Sequence, residues 1–91
     1  MRNWVAVGYD NGWYPGHVTS NDNDSCVVNF LHPSSLLGQF KYPSQIDTAT
    51  VVNTSVFACP LDPPEPKSGG HVFVLLQAEV LQQQYNYFRF R

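Results

Sequence analysis

Charge is scarce in this chain. Only 13% of its 91 residues are Asp, Glu, Lys or Arg, five basic against seven acidic side chains, for a net charge of −2. A field of that sign does not gather phosphate, and a generic nucleic-acid binder would show a basic patch instead. Long apolar runs are missing too. None approaches the ~18 residues of a membrane span, and Met1-Arg2-Asn3-Trp4 lacks the apolar segment of a signal peptide, so the chain reads as soluble, untargeted and without a membrane partner. Cysteine is limited to Cys26 and Cys59, without the dense spacing of a disulfide scaffold or the paired spacing of a zinc site. Both read as reduced core residues, which sets an intracellular expectation. His17, His32 and His71 lie too far apart in sequence to complete a zinc motif. Nothing resembles a nucleophile elbow or a phosphate-cradling glycine loop, so no catalytic residue, metal or cofactor is expected and the chain reads as no enzyme.

What is present is apolar and aromatic. A hydrophobic share of 43% and an aromatic share of 14% are enough for one packed core in one folding unit. Trp4 to Tyr9 alternates apolar side chains around small ones and runs into Asp10-Asn11-Gly12, whose Asn-Gly pair supplies the positive φ angles of a tight hairpin. Trp13 to Ser20 is the return strand, bent early at Pro15-Gly16. The polar turn from Ser20 to Ser25 leads to a third strand over Cys26–Leu31. A loop from His32 to Gln39, a short strand at Phe40–Tyr42, a single turn at Ser44–Asp47 and one interrupted or two very short strands over Thr50–Val52 and Val56–Cys59 come next. Asp62-Pro63-Pro64-Glu65-Pro66 is a stiff connector that cannot join a ladder. His71–Leu76 reads as a strand, and Ala78, Leu81, Tyr85 and Phe88 recur at helical spacing, which predicts a helix over 77–88. The whole is mainly β: a small five-stranded barrel over 1–61, with a Pro-rich connector and strand/helix extension over 62–91 packed on it.

The segment Val5-Ala6-Val7-Gly8-Tyr9-Asp10-Asn11-Gly12-Trp13-Tyr14-Pro15-Gly16-His17-Val18, followed by Cys26-Val27-Val28-Asn29-Phe30, resembles a Tudor domain of the SH3-like barrel type. The resemblance spans about residues 4 to 60. The chain is also similar to uncharacterised animal and transposon-associated proteins with a related Trp-Val-Ala-Val segment and a later Pro-Pro-x-Pro element. Tudor domains that read methyl-lysine hold the ammonium among aromatic faces, whose quadrupoles attract a cation that is cheap to desolvate. Carried over to this chain, the resemblance implies ligand-binding walls at Tyr9, Tyr14, Phe30 and Phe40, at strand ends on the barrel rim. Such domains usually follow the third-strand Phe with acidic residues. Here Leu31-His32-Pro33-Ser34-Ser35 follows, and no carboxylate appears before Asp47.

The expectation is therefore a non-enzymatic module that binds a peptide, with a methylated Lys or Arg of a histone tail as the implied ligand and the nucleus as its place. The alternatives are a nucleic-acid accessory domain, with Lys41, Arg89 and Arg91 meeting the backbone and Phe88 and Phe90 interleaved, or a purely structural interaction domain. A helical stripe at this spacing usually packs on its own barrel; against a barrel surface that is already polar it would instead pair with another copy, and the oligomeric state stays open. Because adjacent strand residues face opposite ways, Trp13 should turn away from the side that Tyr14 faces.

Overall fold

The computed structural model describes residues 3–34, 36, 38–67 and 69–89. In chain order the described elements are β1 (Trp4–Tyr9), β2 (Gly12–Asn21), β3 (Ser25–Phe30), β4 (His32–Pro33), β5 (Gln39–Lys41), β6 (Thr48–Val52), a 3₁₀ turn (Asn53–Ser55), β7 (Val56–Leu61), β8 (Glu65–Pro66), β9 (Phe73–Val74) and α1 (Ala78–Arg89). They form two antiparallel sheets, one ordered β6-β3-β2-β1-β7 and one ordered β4-β5-β9-β8. The fold is mainly β and barrel-like, with a five-stranded sheet whose first and last members are joined by the 3₁₀ turn and do not pair with each other.

The first hairpin pairs Trp4 with His17 and continues without a break to Tyr9 opposite Gly12. Its two turn residues are Asp10 and Asn11, both at negative φ, and Gly12 alone takes a positive φ, 150°. The glycine thus relieves the chain where β2 resumes, one residue later than an Asn-Gly-centred turn requires. Pro15 and Gly16 do not interrupt the register; the first irregularity falls between Val18 and Ser20. Pro15 sits where the β3 ladder ends, and its carbonyl accepts a bond from the amide of Leu31, one residue past β3, at 3.0 Å. Gly16 is required by contact: a Cβ there would collide with the Val28 side chain and stand 3.1 Å from the Asn29 carbonyl oxygen.

Alternation along these strands sorts side chains into two cores. Inside the curled sheet, Val5, Val7, Val18, Cys26, Val28, Phe30 and Val51 pack together. On its outer face, Ala6 and Trp13 meet Leu31, Phe40, Leu75, Ala78, Leu81 and Tyr85. The helix begins and ends one residue later than its periodicity predicts, and its Ala78, Leu81 and Tyr85 are buried with Phe88 against them. The stripe therefore covers the chain's own sheet.

Three local expectations need correction. His71–Leu76 contributes only Phe73–Val74 as a strand: the amide of Leu75 carries the β5 pairing one step further, to the carbonyl of Gly38 at 2.9 Å, and the chain then turns into α1, the amide of Ala78 bonding the Leu75 carbonyl at 3.2 Å. Glu65 and Pro66 do enter a ladder, opposite Val74 and Phe73, since β8 is an edge strand and the donor is the amide of Lys67 to the Val72 carbonyl at 2.8 Å. Cys26 is buried, but Cys59 is exposed: β7 carries an extra residue between Ala58, opposite Ala6, and Leu61, opposite Trp4, and the bulge turns Cys59-Pro60 outward. Both thiols are free, and burial pushes that of Cys26 up. Among the described residues no helix is long and apolar enough to cross a membrane.

Candidate functional site

Three of the four expected aromatic residues meet at one end of the inner core. Tyr9 ends β1, Tyr14 lies early on β2 and Phe30 ends β3, and alternation turns all three to the same side. Their ring centroids are 5.7 Å apart for Tyr9–Tyr14, 6.1 Å for Tyr9–Phe30 and 6.4 Å for Tyr14–Phe30, all near edge-on. Phe30 is only 3% exposed and forms a floor, while Tyr9, 41% exposed, and half-buried Tyr14 stand as walls. They line a cavity of about 230 Å³ together with Asn11, His32 and Asp47.

Asp47 reaches this cavity through the ladder. Residues directly opposite in an antiparallel pair share a face. Asn29 lies opposite Thr48, and the pairing continues one step, with the amide of Phe30 donating to the carbonyl of Asp47 at 2.9 Å. The carboxylate thus stands beside Phe30 in space, although the two are far apart in sequence. His32 Nε2 is 2.7 Å from Asp47 Oδ2, and the imidazole centroid lies 5.8 Å from that of Tyr14, so a fourth ring borders the cavity. Both side chains of this pair are nearly half exposed, and water screens it enough that it positions more than it stabilises. Burial first, then the Asp47 charge and Tyr14, hold the Tyr9 hydroxyl above its usual range.

Phe40 is not part of this cluster. It is 5% exposed in the outer core, with its ring 5.7 Å from that of Trp13. The strand that holds it, β5, belongs to the second sheet, and in the first sheet β3 lies between β2 and β6. Trp13 faces away from Tyr14, as alternation requires, and its Nε1 donates to Gln82 Oε1 of the helix at 2.9 Å. Sequence reasoning missed His32 and the placement of Asp47; the signal that carries the second is the β3–β6 register, which a local motif does not contain.

The site offers aromatic faces and one carboxylate, an arrangement that receives a cation with an apolar surround. Among the described residues no group of three or more His, Cys, Asp or Glu is placed to hold a metal ion. His17 stacks near Trp4, ring centroids 5.2 Å apart, and His71 is exposed. The Arg89 guanidinium lies 5.7 Å from the ring centre of Tyr85, and Lys41 is exposed on β5, opposite His32. Phe90 and Arg91 lie outside the described residues. Compared with protein-family models, curated proteins and solved structures, the chain matches none.

Proposed function

We propose that this chain is a non-enzymatic recognition module of Tudor-like character that binds a peptide by a methylated Lys or Arg. The observation that carries the reading is the convergence of Tyr9, Tyr14 and Phe30 with the Asp47 carboxylate on one cavity of about 230 Å³. Methylation lowers the desolvation cost of an ammonium or guanidinium and enlarges its apolar surface, so ring faces hold it well, while the carboxylate supplies the opposite charge. Asp47 fills the role for which the sequence after Phe30 has no acid. His32 fixes that carboxylate from the side and closes the wall that Phe40 does not supply. A histone tail is the first source of such a ligand, and with it the reading implies a nuclear protein acting on chromatin.

The test is an NMR titration with trimethyl-lysine, dimethyl-arginine and unmodified forms of the same histone-tail peptides. The expected result is that amide and ring signals of Tyr9, Tyr14 and Phe30 shift with modified peptides and far less with unmodified ones. Signals that stay still throughout the series would sink the reading.

A further inference from the structure

A second and larger cavity adjoins the first. It measures about 400 Å³ and is walled by Trp13, Pro33, Leu36, Gln39 and Phe40, with Asn11 and Tyr14 common to both cavities. The two therefore meet along one ridge, the Asn11 and Tyr14 side chains, on either side of the first hairpin's tip. The contrast between them is chemical. The first has a carboxylate; none of the described residues lining the second is charged. Its floor is the apolar outer core at Trp13 and Phe40, and at its mouth stands Leu36, a large apolar side chain left 60% exposed.

We infer that the ligand is read at two points: its cation in the first cavity, and a large apolar side chain of the same peptide, Leu or Phe in kind, in the second. This rests on the cation-binding reading of the first cavity and adds the class of sequence that surrounds the modified residue. The shared ridge is one aromatic ring wide, a span that an extended chain crosses in about two to four residues at ~3.3 Å each. A charged flank would have to desolvate against Trp13, Pro33 and Phe40 with no opposite charge among the described lining residues to meet it, and the site discriminates against it. A Leu or Phe there is instead drawn from water onto an apolar wall, and burial of about 60 Å² at ~25 cal/mol per Å² is worth close to tenfold in affinity.

The experiment is calorimetric titration of the whole chain with short trimethyl-lysine peptides in a Gly-Ser background, with Phe, Ala or Glu moved through the four positions on either side of the modified residue. On one side, at one or two adjacent positions, Phe should bind about tenfold tighter than Ala, and Glu weaker than either. Leu36→Ser, at an exposed position that spares the core, should lower the Phe-to-Ala ratio to about threefold, the part that the Trp13 and Phe40 floor still supplies. Equal binding of all flanks, or a Phe preference that Leu36→Ser leaves intact, overturns the two-point reading while the cation site stands. If neither these peptides nor their dimethyl-arginine counterparts bind at all, the cation site falls and the two-point reading falls with it.

Discussion

Trp13 and Tyr14 are neighbours in sequence that face opposite ways, one into the outer core and one onto the first cavity, so on the proposed reading substituting each in turn separates folding from binding. The indole of Trp13 is buried against Phe40 and Phe57 and hydrogen-bonded to Gln82, and Trp13→Ala should cost ~3–5 kcal/mol, a large part of a total of ~5–15 kcal/mol. Tyr14→Ala removes a half-buried wall, costs ~1–2 kcal/mol and abolishes peptide binding. Thermal melts and a titration on both variants check this; a Tyr14→Ala domain that is unfolded while Trp13→Ala only loses ligand reverses the faces. At Asp47 the change to Asn keeps the shape and removes the charge. Affinity for a trimethyl-lysine peptide should fall about five- to tenfold by calorimetry, with the melting temperature within a few degrees of the parent, because the His32–Asp47 pair is solvent-screened. The two faces were legible from alternation alone. The carboxylate was not, since its place beside Phe30 is set by pairing across the sheet rather than by its neighbours in sequence.

Among the elements, α1 ties the outer core to the Tyr9 end of the aromatic cluster. The Tyr85 hydroxyl donates to the main-chain carbonyl of Tyr9, and Gly8, next to it, lets the helix lie close: a Cβ at Gly8 would come to 2.5 Å from Phe88 Cε2 and 3.4 Å from Tyr85 Cδ1. Tyr85→Phe should therefore cost ~1 kcal/mol and speed amide hydrogen exchange at Tyr9 and in the Asp10-Asn11 turn, leaving exchange in β3 and β6 at the parent rate. Faster exchange everywhere, or nowhere, would mean that this hydrogen bond does not anchor the strand end. The helix was legible because four apolar residues at 3.6-residue spacing agree with the propensity of the residues between them. The second sheet was not. β4, β8 and β9 have two residues each, too few for any period to register, and β8 contains a proline that local rules exclude from ladders. Its existence depends on Phe40, Phe73 and Leu75 finding the outer face of β2, a tertiary effect. The same effect takes Phe40 out of the aromatic cluster, because the first aromatic strand after β3 in sequence is not the next strand beside it in space.

For the molecule as a whole, the question is whether the five-stranded sheet stands without residues 62–91. Its inner core is nearly self-contained, built from β1, β2, β3 and β6 with Val56 of β7. Its outer face is not. Leu75, Ala78, Leu81 and Tyr85 are half of the eight buried side chains that make the outer core, and Trp13 and Phe57 lean on them. Burial of those four contributes roughly 5–8 kcal/mol, comparable to the entire stability of a domain this size, and a sheet stripped of them would bare Ala6, Trp13 and Phe57 to water. A fragment of residues 1–61 should thus fail to fold cooperatively, with collapsed amide dispersion in its NMR spectrum and no near-ultraviolet circular dichroism from Trp13. The same fragment carries Tyr9, Tyr14, Phe30, His32 and Asp47, so it also should not bind peptide: the cage residues are all present, but the helix that holds the end of β1 is gone. A fragment with native dispersion and intact affinity would show instead that the inner core suffices and that 62–91 is a lid on a finished barrel.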